Sequence, residues 1–79
     1  MQIIKKNRWY ATEEPFRFVC VRAIPDDADD KESKPFFIVE IQDRKPDGSR
    51  VFTNEYMTAS AGEVKALLGI KGREKLTFI

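Results

Sequence analysis

The stretch FFIVEIQDRKPDGSRVFTNEYM, residues 36–57, carries the strongest fold signal in the chain. Two runs rich in β-branched and aromatic residues flank Pro46-Asp47-Gly48, the pattern of a β-hairpin. Proline presets φ for the first central position of a type I turn. Asp47 suits the next position, and Gly48 supplies the left-handed residue that closes a three-residue loop with a bulge. With Lys45 opposite Ser49, counting outward places Ile41 opposite Thr53, Val39 opposite Glu55 and Phe37 opposite Met57. The other face pairs Gln42 with Phe52, Glu40 with Asn54, Ile38 with Tyr56 and Arg44 with Arg50. Side chains alternate across a strand, so these are two separate surfaces. The first, with Phe37, Val39, Ile41, Val51 and Met57, is the expected core. The second mixes Phe36, Ile38, Phe52 and Tyr56 with Glu40, Gln42, Arg44, Arg50 and Asn54. It is too polar for a core and too aromatic for an ordinary solvated face.

Upstream, residues 1–10 (MQIIKKNRWY) read as a strand in which Lys5, Lys6 and Arg8 interleave with Ile3, Ile4, Trp9 and Tyr10. Thr12-Glu13-Glu14-Pro15 is a polar break. Residues 16–24 (FRFVCVRAI) are apolar on both faces, as a central strand requires;. Residues 25–35, bracketed by Pro25 and Pro35, carry five acids and two lysines and are expected to form an exposed, mobile loop;. Downstream, Ser60 and Glu63 have capping-box spacing. Val64, Leu67 and Leu68 give the stripe of a short helix lying on a sheet, and Gly69 with Ile70 gives its stop. Residues 74–79 (EKLTFI) read as a last strand. The expected fold is α+β, one domain over residues 1–79: a small twisted, mostly antiparallel sheet in the order β-β-β-β-α-β, with one short helix near the C-terminus. A small partly open barrel is the alternative.

Composition narrows the function. At 79 residues the chain buries only a modest core;. Hydrophobic residues make up 42% and charged residues 34%, with a formal net charge of +1, which is ordinary for a soluble globular protein;. There is no histidine, so Ser-His and Cys-His nucleophile pairs are excluded within this chain;. The single cysteine, Cys20, excludes an internal disulfide and sits in an apolar run, as a small core residue does;. No secretory signal or membrane span is legible, and a cytoplasmic setting is expected. The acidic loop fails the EF-hand spacing, with Lys31 and Glu32 where a ligand and a glycine belong;. A nuclease-like pattern of Pro25-Asp26 followed by Glu40-Ile41-Gln42 lacks the lysine, and the version ending in Glu32-Ser33-Lys34 falls in a loop;. Residues 60–71 (SAGEVKALLGIK) resemble the first helix and turn of a helix-turn-helix of the excisionase or MerR type. The residues that follow read as a strand, leaving no recognition helix for a major groove. No catalytic residue, metal site or cofactor is expected.

What remains is a binding module. Lys5, Lys6, Arg8, Trp9 and Tyr10 in one strand, with Arg44, Arg50, Phe52 and Tyr56 on the second face of the hairpin, form a basic-aromatic set. Cations that track phosphates and aromatic planes that stack on bases are the means by which single-stranded nucleic acid is held. The bland reading of the same residues is that Trp9 and Tyr10 are core and the lysines guard sheet edges against aggregation. The alternative function is a protein-binding regulator or inhibitor of the compact kind common on phages and mobile elements, because Tyr, Trp and Arg also dominate protein hot spots. An open sheet edge makes a homodimer a further expectation.

Overall fold

The computed structural model describes residues 2–25, 36–49 and 54–79. The turn at its centre forms as its chemistry dictates. The Gly48 amide donates to the Lys45 carbonyl (2.8 Å) and the Lys45 amide to the Ser49 carbonyl (2.9 Å), with Gly48 at φ 87°. The Asp47 carboxylate accepts from the Ser49 amide (2.9 Å) and hydroxyl (2.7 Å), locking the loop.

The strands the turn joins, β4 (Phe37–Asp43) and β5 (Glu55–Ala59), are antiparallel but two residues out of the expected register. Phe37 faces Ala59, Val39 faces Met57 and Ile41 faces Glu55. The offset is even, so every side chain keeps its expected face. Residues 50–53, with Arg50, Val51 and Phe52, lie outside the described residues.

Strand β3 (Arg17–Ala23) is interior, as its two apolar faces predict. It pairs with β4 on one side and with β2 (Trp9–Ala11) on the other, giving a four-stranded antiparallel sheet in the order β2-β3-β4-β5. A bulge at Arg22 shifts the β3–β4 register, so that Val21 faces Val39 while Ala23 faces Ile38;.

Residues 1–10 are not one strand, which corrects the expected element count. Asn7 adopts φ 64°, a left-handed conformation that asparagine tolerates better than most residues;. Its amide donates to the Val21 carbonyl (2.8 Å). The chain turns there and frees β1 (Gln2–Ile4) to pair in parallel with β6 (Leu76–Phe78) as a separate two-stranded sheet. Together the four-stranded sheet, this pair and one short helix make a small α+β fold.

The helix, α1 (Ala61–Leu67), has both arms of its capping box. The Glu63 amide donates to the Ser60 hydroxyl (3.2 Å), and the Ser60 amide donates back to the Glu63 carboxylate (3.4 Å). Gly69, at φ 70°, ends it in a Schellman motif, with the Ile70 amide donating to the Lys65 carbonyl (3.2 Å);. α1 and the β1–β6 pair cover one face of the large sheet. Ile4, Val19, Val21, Phe37, Val39, Ile41, Ala59 and Val64 are buried there, with Tyr10, Leu67, Leu76 and Phe78 packed around them. The Phe37 and Phe78 rings, 4.4 Å apart and tilted by 50°, tie the two sheets together. Met57, expected in this core, is on the right face but 39% exposed, because β5 is the sheet edge.

Candidate binding face

With one face of the large sheet occupied, the other carries the candidate site. The register aligns Trp9, Cys20, Glu40 and Tyr56 in one row across all four strands. Burial along this face inverts the order that polarity suggests. Glu40 and Gln42 are 5% and 4% exposed, whereas Phe36, Ile38 and Tyr56 are exposed, Tyr56 by 65%. The polar pair sits mid-strand on β4 with neighbours on both sides, and Glu40 is fully engaged there. Its carboxylate accepts from Arg22 Nε (2.9 Å) and from the Asn54 side-chain amide, and Tyr56 stands directly opposite. A buried charge is tolerated only when paired and hydrogen-bonded. These donors, Asn54 first and then Arg22, hold the Glu40 carboxyl below its ordinary value of 4.5 against the opposing effect of burial. The same carboxylate raises the Tyr56 phenol, and burial raises the Cys20 thiol.

Arg22 is the hub of the row. Its guanidinium lies 5.5 Å from the Trp9 ring centroid, bonds Glu40, and donates from Nη1 to the Asn7 side chain (3.2 Å). It therefore orients the half-buried indole and anchors the β1–β2 turn to this face. That turn carries Lys5, Lys6 and Arg8, all exposed, and none of the three forms an ion pair among the described residues.

Of the residues singled out from sequence, Trp9 and Tyr56 thus share one face, while Lys5, Lys6 and Arg8 lie on the turn at its edge, where the Lys5 amide bonds the Tyr10 hydroxyl and the Lys6 amide the Ile79 carbonyl. Tyr10 leaves that face. Alternation turns Tyr10 toward Val19 and the core, and its hydroxyl accepts the Lys5 amide (2.9 Å). Arg44 is half-buried, 5.2 Å over the Phe18 ring, with a buried Nε that has no hydrogen-bond partner among the described residues. Arg50 and Phe52 lie outside the described residues, as does the acidic loop from residue 26 to residue 35. Arg22 was missed as the residue that orders the face; Asn54, read from sequence as the partner of Glu40, does bond it, although Tyr56 is the residue opposite in the register. The signal for Arg22 was its place on the same alternation face of β3 as Cys20, two residues away.

On the Trp9 face Arg22 pairs with Glu40, and Arg44 lies over Phe18. On the other side Arg17 is bidentate to Asp43 (2.8 and 3.2 Å) and also pairs with Glu14 (3.0 Å). Hydrogen bonding from Arg17 lowers the Asp43 carboxyl below its ordinary 3.8.

These pairs predict acid sensitivity. Glu40 and Asp43 have folded-state pKa values below their unfolded ones, so their contribution is full above the unfolded values and is lost as pH falls through the folded ones;. The urea midpoint is expected to hold from pH 7 to about pH 5 and to fall below about pH 4.5. The stability gap between the natural protein and Glu40→Gln should narrow over that fall. A gap that stays constant with pH would remove Glu40 as its source.

No protein-family model matches the chain, no curated protein matches it, and no solved structure matches it. Its own geometry defines a small α+β domain whose second sheet face buries Cys20, Glu40 and Gln42 at its centre and exposes Ile38 and Tyr56. No helix among the described residues is long and apolar enough to cross a membrane.

Proposed function

We propose that this domain is a non-catalytic module that binds single-stranded nucleic acid on the Trp9–Tyr56 face. One observation carries the reading. The cross-strand row puts two aromatic side chains, from the two edge strands, on the same face, beside a turn bearing three exposed cations. Neighbouring strands lie about 4.8 Å apart, so Trp9 and Tyr56 stand about 14 Å apart across three intervals. That spacing suits bases spread along one strand rather than a single bound nucleotide. The Glu40 charge that would oppose phosphates is neutralised by Arg22.

Trp9 is the only tryptophan, so its fluorescence reports on the site directly. Titration with a short oligothymidylate is expected to quench it saturably, with affinity falling steeply between low and moderate salt. Replacing Tyr56 with alanine should weaken binding by about tenfold, within the usual range for one stacked base. An unchanged spectrum at low salt would refute the reading.

A protein-binding regulator or inhibitor is the second reading, and a different observation favours it: Phe36, Ile38 and Tyr56 are exposed on this same face. Apolar and aromatic anchors of this kind dominate protein interfaces. A partner held that way would bind with little dependence on salt and would be lost with Tyr56 rather than with the lysines.

A further inference from the structure

The side of the molecule away from Trp9 holds a groove of about 310 Å³ between α1 and the β2–β3 turn. Its floor is apolar, made by Met57, Ala66 and Leu67, and its rim carries Glu13, Glu14 and Glu63. We propose that this groove docks a short extended segment of a partner protein in which apolar side chains alternate with lysine or arginine.

Three features select that occupant. The volume lies at the lower end of the ~300–1,000 Å³ of small-molecule pockets, enough for one or two apolar side chains. The cation in the wall, Arg17, is committed to Asp43 and Glu14, so it does not neutralise the rest of the rim. Glu55, on the adjacent edge strand, adds negative potential near Arg17. The rim is also held in place before anything binds. The Glu13 amide donates to the Leu67 carbonyl (3.1 Å), and the Glu13 Cβ lies 3.4 Å from where a Cβ on Gly69 would be. The Glu63 carboxylate is fixed by Ser60. With Glu13, Glu14 and Glu63 against Arg17 alone, the preorganised net negative charge around an apolar floor favours a cationic, apolar ligand and disfavours a nucleic acid;. The groove is thus complementary in charge to a different partner from the one proposed for the Trp9 face, and it stands independently of that reading.

The test is NMR titration of the full, isotope-labelled chain with three pentapeptides: Lys-Leu-Lys-Leu-Lys, Lys-Ser-Lys-Ser-Lys and Glu-Leu-Glu-Leu-Glu. The first is expected to shift the Met57 and Ala66 methyl signals and the Glu13 amide saturably, and the other two to bind at least tenfold more weakly. Ala66→Arg, which fills the groove with a cation, and the double variant Glu13→Lys with Glu14→Lys should each weaken the first peptide at least tenfold. Ala66, Glu13 and Glu14 are all exposed, so these variants remove no core packing. Absence of saturable shifts at the groove, equal binding of the serine peptide, or full binding by folded Ala66→Arg would each overturn the proposal.

Discussion

Phe37→Ala is expected to cost about 3–5 kcal/mol of folding stability, the range for truncating a fully buried aromatic side chain. Phe37 has no exposed surface. Its ring touches Phe78 of the small sheet, while its strand is held in the large one opposite Ala59. Removing it leaves a cavity at the junction of the two sheets, where neither can close without moving the other. Small domains have only about 5–15 kcal/mol in total, so the variant should unfold at far lower urea and partly unfold at 37 °C. Phe37→Leu, which keeps an apolar side chain in the site, should lose much less. Urea melts followed by Trp9 fluorescence and by far-ultraviolet circular dichroism measure both. A Phe37→Ala protein within 1 kcal/mol of the natural one would mean that the two sheets do not share this contact.

Replacing Lys5, Lys6 and Arg8 together with alanine should flatten the salt dependence of oligonucleotide binding. Each phosphate contact on a single strand contributes about 0.7 to the slope of log affinity against log salt, so losing three should reduce its magnitude by about 2. All three side chains are exposed, so the melting curve should stay close to that of the natural protein;. Arg44→Ala is expected to change the slope less, because that guanidinium is partly withdrawn over Phe18. An unchanged slope in the triple variant would detach the β1–β2 turn from phosphate binding and shift the balance to the protein-binding reading.

The legibility of the molecule differs from element to element. The turn at 46–48, the capping box at Ser60 and the stop at Gly69 were readable because each is settled by a few neighbouring residues. Proline presets one φ, glycine permits another, and a hydroxyl satisfies an orphan amide three residues on. The two faces of β4 survived a wrong register because the error was even;. Neighbours in one strand face opposite ways, so Tyr10 points to Val19 and the core while Trp9 stands beside Cys20, and Tyr10 leaves the candidate face;. The break at Asn7 was harder to see. Nothing in MQIIKKNRWY interrupts a strand pattern, and the left-handed turn is stabilised by contacts with Val21 and Arg22, distant in sequence.

By itself, then, the sequence determined the local conformations, the α+β class and the separation of an apolar sheet face from a mixed one. Those follow from backbone sterics and from the two-residue period of a strand, which act at short range. Only the tertiary structure decided that β1 leaves the main sheet to pair with β6. It also decided that Glu40 is buried while Tyr56 is exposed, that Arg22 bridges Trp9 and Glu40, and that a groove rimmed by Glu13, Glu14 and Glu63 forms on the opposite side. Each of those depends on which distant segments meet. Bringing them together costs chain entropy that is offset only when the whole core assembles, so no short window of residues encodes it.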